Sequence, residues 1–193
     1  MQPISFFLNL LGIFLFLFLF WRRLKEDYSR QIVFSSAFFI LLGLFSGSVV
    51  ASNLFPSWFF WLTTFGAFLG FSLGIFKYSL RFYEAFEAAF FAFLPWQVFY
   101  YLGRSLFLAG FLVFLILFFN YLNGHYKGFG WYKSGRIGLA GLLVAGLFFL
   151  VRSALAIVNP ALLFLASQSE AVLSGISAFT IFLLVYNLAI ESS

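Results

Sequence analysis

The chain of 193 residues contains no cysteine, one histidine and six acidic residues. The absence of cysteine excludes disulfides, thiolate nucleophiles and thiolate metal ligands. A single histidine excludes a histidine-rich metal centre. We therefore expect no metal site, and no motif in the sequence indicates a cofactor.

Charged residues are also scarce, at 9% of the chain, whereas 64% of the residues are hydrophobic and the mean hydropathy is +1.05. This balance is typical of a protein that is surrounded mostly by lipid. We predict an integral membrane protein with a single transmembrane domain over residues 1–193. The net charge of +5 suits loops that face anionic lipid headgroups, and no basic stretch indicates binding to nucleic acid.

The long hydrophobic runs predict an all-α bundle of about seven transmembrane helices, because one span takes about 20 residues. The predicted spans cover about residues 3–21, 32–51, 57–76, 83–102, 105–122, 137–158 and 171–190.

The basic residues predict the orientation of this bundle. Nine of the eleven follow the first, third and fifth spans, namely Arg22, Arg23, Lys25, Arg30, Lys77, Arg81, Lys127, Lys133 and Arg136. Since loops rich in lysine and arginine stay in the cytoplasm, we expect the amino terminus outside and the carboxyl terminus in the cytoplasm.

The other two basic residues, Arg104 and Arg152, lie in or against hydrophobic stretches. An arginine near the centre of a bilayer costs about 2.5 to 3.5 kcal/mol, so its position calls for a reason. The predicted orientation places both near the outer leaflet, where arginine can grip a lipid phosphate through two hydrogen bonds. The alternative for either one alone is a side chain that merely extends to the headgroups. Glu170 is the acidic residue nearby and can pair with one of them.

Glycines predict where helices approach closely. Gly66, Gly70 and Gly74 repeat every four residues in the third span, and Gly43 and Gly47 do so in the second. Small residues at this spacing are typical of tightly packed membrane helices.

Pro95 predicts a kink in the fourth span that opens a cleft below Arg104. For the serine and threonine side chains at the depth of this cleft, an alternative role is hydrogen bonding between helices. The residues that we expect to line the cleft are Gly103, Gln97, Trp96, Thr63, Thr64, Ser48 and Glu170.

Several of these landmarks occur in the order found in one bacterial enzyme family. They are Pro3, the apolar run around Gly12, Gly47, the glycine-rich third span, Pro95, Gly103-Arg104 and the segment from Gly130 to Arg152. In this order and spacing the chain resembles prolipoprotein diacylglyceryl transferase. That enzyme moves a diacylglyceryl group from phosphatidylglycerol to a lipoprotein cysteine.

The resemblance implies a protein of the bacterial cytoplasmic membrane that has phosphatidylglycerol and lipoprotein signal peptides as partners. It also implies that Arg104 and Arg152 bind the lipid phosphate. Several segments depart from the family, among them Ser105-Leu106-Phe107 after Gly103-Arg104 and an absent head segment between the fourth and fifth spans. Phe65-Gly66-Ala67 replaces a His-Gly-Gly segment, Ser48-Val49 lacks the arginine of the second span, and Ala156 replaces a glutamate.

These departures bear on catalysis, because a thiol with a pKa of about 8.5 needs a base to become a nucleophile. The one histidine, His125, falls in a predicted cytoplasmic loop, so no base can be assigned. One hypothesis is therefore a diacylglyceryl transferase with an unidentified base. The alternative is a non-catalytic relative that binds anionic phospholipid or a signal-peptide helix. A small transporter is a weaker hypothesis, since the sequence shows no convincing internal repeat.

Overall fold

A computed structural model describes residues 3–125, 138–163 and 169–191. Within these ranges the chain forms long α-helices and short 3₁₀ turns, and no strand occurs in them. Lys127, Lys133 and Arg136, which enter the prediction of orientation, lie outside the described residues. The helices are α1 Pro3–Leu24, α2 Arg30–Leu54, α3 Phe59–Tyr78, α4 Phe82–Leu102, α5 Leu106–His125, α6 Leu139–Val158 and α7 Glu170–Glu191.

Six of these helices are long and apolar enough to cross a membrane. They are α1, α2, α3, α5, α6 and α7. The remaining helix, α4, carries Glu84 and Glu87 near its start, and these carboxylates lower its hydropathy. The prediction of a helical protein with membrane character is confirmed, whereas the number of seven spans and the orientation of the termini stay predictions.

Proline and a left-handed residue mark the ends of helices. Pro56 begins the 3₁₀ turn after α2, and Pro160 begins the one after α6. Proline has no N–H to continue an α-helix, so the chain can turn at both points. Ser79 ends α3 with a φ of 52°, which is the left-handed conformation typical of a helix end.

The closest helix packing joins α2 and α3 through their glycines. A Cβ atom added to Gly43 would overlap the carbonyl oxygen of Gly66, and one added to Gly66 would overlap that of Gly43. Gly70 lies equally close to the Phe39 carbonyl. The predicted close approach is confirmed, and the two glycine rows face each other.

Helix α4 lies at the centre of the other helices and packs against α1, α5 and α6. Toward α1 it presents small residues, among them Ala85, Ala88 and Ala92, which form one core cluster with the buried rings of Phe16 and Phe20. Its other side belongs to a second cluster with α5 and α6. The helix with two glutamates is therefore largely enclosed by protein, and α7 packs against α6.

Gly66→Ala is expected to destabilise the protein, because the new methyl group would force the backbones of α2 and α3 apart. Overpacking of this kind costs about 1 to 3 kcal/mol. Thermal unfolding in detergent micelles measures the effect. Gly110→Ala is the matched control, since a Cβ there meets no atom within 4 Å. Equal losses in the two variants would contradict the close packing.

Candidate functional site

Arg152 is enclosed by the protein and forms an ion pair. Its side chain lies in the last two turns of α6 and is only 3% exposed, while Glu170, the first residue of α7, is 1% exposed. Nε of Arg152 donates a hydrogen bond to Oε1 of Glu170. Neither charge could be buried alone without a large loss of free energy, so each stabilises the placement of the other. The start of a helix also favours an acidic residue such as Glu170.

Two further donors hold the Glu170 carboxylate. Nε1 of Trp61, on α3, donates to Oε2 at 3.0 Å, and the hydroxyl of Ser174 donates to Oε1 at 3.1 Å. The Trp61 ring also stacks on Phe149 of α6, with 5.9 Å between ring centroids. We call Arg152, Glu170, Trp61 and Ser174 the Arg152 cluster. It joins α3, α6 and α7.

The guanidinium of Arg152 contacts the cluster through Nε and lies against an aromatic ring. Its central carbon lies 3.5 Å from the centroid of the Phe60 ring, a cation–π contact. Among the described residues, Nη2 has no hydrogen-bond partner. A buried donor without a partner costs about 1 to 3 kcal/mol, and more when it is charged. Such an atom marks a place where a ligand oxygen or a water molecule would bind favourably.

A narrow apolar cavity adjoins this arginine. It has room for roughly one water-sized group. Arg152 is the charged residue in its wall, so an oxygen atom that entered would meet a positive charge. The other lining residues are Tyr101, Leu108, Phe111, Leu112, Phe148, Val151 and Leu163.

Arg104 lies at the same end of the bundle but outside this cavity. It follows the end of α4, is exposed, and its guanidinium carbon lies 3.8 Å from the centroid of the Tyr100 ring. The Tyr100 phenol is within Coulombic range of both Arg104 and Arg152. The structure therefore brings the two arginines to one region, with Arg152 buried and Arg104 at the surface.

Of the other predicted site residues, Glu170 joins Arg152 and several belong to different contacts. Trp96 packs over Gly12 of α1, and its Nε1 donates to Oδ1 of Asn9 at 3.3 Å. The Ser48 hydroxyl bonds to the carbonyl of Phe45 in its own helix at 2.7 Å. These side chains do not line the cavity beside Arg152.

The remaining predicted residues have less specific surroundings. Gln97 and Thr64 are partly exposed, and a Cβ at Gly103 would meet open space. The hydroxyl of Thr63 is buried and has no partner among the described residues. That these residues line a cleft stays a prediction.

A second ion pair, which was not predicted from the sequence, lies at the opposite end of the bundle and is partly buried. Arg23 of α1 pairs with Glu87 of α4, and the backbone N–H of Gly141 on α6 donates to Oε2 of Glu87 at 3.1 Å. The guanidinium carbon of Arg23 also lies 4.9 Å from the centroid of the Phe119 ring on α5. The signal was available, because a glutamate within a hydrophobic stretch requires a partner.

His125 is far from the Arg152 cluster. It ends α5, at the end of the bundle that holds Arg23, and its Nδ1 lies 3.0 Å from the carbonyl oxygen of Tyr121. Within the described ranges, no group of histidine and acidic side chains could hold a metal ion.

Comparisons with known proteins leave the family of the chain open. No protein-family model, curated protein or solved structure matches it. The resemblance to prolipoprotein diacylglyceryl transferase accordingly stays a prediction, carried by the order of its sequence landmarks.

Glu170→Gln is expected to destabilise the protein by about 3 to 5 kcal/mol, because it leaves the charge of Arg152 buried without a counter-charge. The double variant Arg152→Met with Glu170→Gln should recover much of this loss, since no buried charge remains. Unfolding in detergent micelles measures both. Arg81→Gln is the control, because Arg81 forms a surface pair with Glu84 and its side chain is 65% exposed. A double variant less stable than Glu170→Gln would contradict the pairing argument.

Proposed function

We propose that the protein is an integral protein of the bacterial cytoplasmic membrane that binds the phosphate of an anionic phospholipid at the outer end of its bundle. One observation carries the proposal. Nη2 of the buried Arg152 has no partner among the described residues and the arginine adjoins a cavity of about the size of one oxygen atom or water molecule. A phosphate oxygen has the charge and the size to bind there, because arginine forms its strongest hydrogen bonds with such anions.

The two arginines at this end favour an anionic ligand. Arg152 and Arg104 are both basic and lie in one region, one buried and the other at the surface. A phosphodiester in a lipid such as phosphatidylglycerol carries one negative charge. Arg104, exposed on the Tyr100 ring, would contact the headgroup at the surface, while Arg152 would contact it from below.

This proposal includes seven spans, with α4 as a span that is shielded by its neighbours and with the amino terminus outside. The loops rich in basic residues then lie in the cytoplasm. Arg104 and Arg152 lie at the other end, at the level of the outer-leaflet phosphates.

We propose binding without transfer of the lipid. Diacylglyceryl transfer to a thiol requires a group that accepts the thiol proton. Glu170 is the carboxylate nearest to Arg152, and hydrogen bonds from Arg152, Trp61 and Ser174 already satisfy it. This arrangement suits a scaffold that holds a phospholipid and lacks the base of a transferase.

Native mass spectrometry of the purified protein should show that it retains phosphatidylglycerol over phosphatidylethanolamine. Arg152→Lys keeps a charge for Glu170 but removes Nη2, and should lower the retention of phosphatidylglycerol roughly tenfold, since a hydrogen bond to a charged group contributes about 1.5 to 3 kcal/mol. Arg104→Gln should also lower it. The matched control is Arg22→Gln, an exposed arginine at the opposite end.

If Arg152→Lys and Arg104→Gln both select phosphatidylglycerol as strongly as the wild type does, the proposal is wrong. Competition with inorganic phosphate separates a lipid site from a site for free phosphate: displacement at equal concentration would point to the soluble anion. Incubation with phosphatidylglycerol and a lipoprotein signal peptide that carries its cysteine tests transfer. A diacylglyceryl product would show that the protein is a transferase instead.

The proposed orientation predicts which loops a reagent outside the cell can reach. Because the chain lacks cysteine, single substitutions place one thiol at a chosen position. Ser57→Cys, after α2, should react with a membrane-impermeant maleimide on intact cells. Glu26→Cys, after α1, should react only after lysis. Both positions are exposed in the structure, so the reverse pattern of labelling would overturn the orientation.

A further inference from the structure

The outer end of α3 is held to the bundle by side chains. Among the described residues, the backbone of α3 packs closely against α2 and makes no extensive contact with α6 or α7. Phe60 and Trp61 bridge the gap, through the rings of Phe148 and Phe149 and through Glu170. Glu170 is therefore the residue that ties α3 to both α6 and α7 by polar contacts.

Glu170 binds the same guanidinium that the proposed phosphate would bind, through a different nitrogen. Its carboxylate accepts a hydrogen bond from Nε of Arg152, and a phosphate would bind the same guanidinium through similar oxygens. Two anions on one buried guanidinium repel each other strongly, because the surroundings are apolar and screen little. A phosphate at Nη2 would thus weaken the hold of Arg152 on Glu170.

We infer that Glu170 is a tethered competitor of the bound phosphate, and that its displacement from Arg152 releases Trp61 and loosens the α2–α3 pair from α6 and α7. The inference rests on the proposed function and adds how that site is regulated. The hydrogen bonds from Trp61 and Ser174 keep Glu170 in place, so they lower the affinity for the lipid. The glycine contacts keep α2 and α3 together, so the two helices respond as a unit.

Trp61→Phe tests this coupling. The substitution removes the N–H that holds Glu170 and keeps an aromatic ring to stack on Phe149. It should raise the affinity for phosphatidylglycerol in nanodiscs roughly threefold to tenfold. The reason is that one of the hydrogen bonds that keep Glu170 on Arg152 is then lost. Ser174→Ala should act in the same direction. The matched control is Trp58→Phe, since Trp58 is exposed in the neighbouring turn.

Tryptophan fluorescence provides a second measurement. Addition of phosphatidylglycerol to the wild-type protein should change the emission, and the change should be absent from Trp61→Phe but present in Trp58→Phe. If the wild type selects phosphatidylglycerol while Trp61→Phe and Ser174→Ala leave the affinity and the emission response unaltered, the inference fails and the proposed function stands. If the wild type shows no selectivity, both fail.

Discussion

A charge buried among apolar helices must find its counter-charge within the protein, and this requirement fixes the arrangement of the bundle. Arg152 and Glu170, both buried, meet at one end. At the other end the buried Glu87 meets Arg23, which is partly exposed. The first pair holds α6 and α7 together and recruits α3 through Trp61. The second holds α1 to α4 and, through the N–H of Gly141, to α6. Helix α6 contacts both ion pairs, one near each of its ends. These contacts fix its position relative to the neighbouring helices.

The positions of the helices and the contact between α2 and α3 could be predicted from the sequence, because both depend on local patterns. Hydrophobic runs mark helices, and glycines four residues apart mark a face that a second helix can approach. Glu170 was recognised as a possible partner of one arginine. The sequence did not show whether that partner is Arg104 or Arg152. The choice of Arg152 depends on how α6 and α7 face each other.

The remaining contacts could not be predicted for a physical reason. In a membrane helix, the sides that face lipid and the sides that face protein are both apolar, so periodicity does not show which side is inside. Trp96 illustrates this, since it was expected near Arg104 but packs against Gly12 of α1. Helix α4 illustrates it as well. Its glutamates lower its hydropathy, yet Glu87 faces the interior, where Arg23 pairs with it.

The glycine contacts between α2 and α3 have a consequence for biogenesis. The two helices are consecutive, a 3₁₀ turn joins them, and the glycine and ring contacts between them lie within Arg30–Leu54 and Phe59–Tyr78. This hairpin can therefore assemble as soon as α3 has been made, while the ribosome is still synthesising the later helices. Trp61 is then in place before Glu170 exists, and the Arg152 cluster closes only when α7 arrives. The polar contact that joins α3, α6 and α7 thus forms after the first six helices have been made.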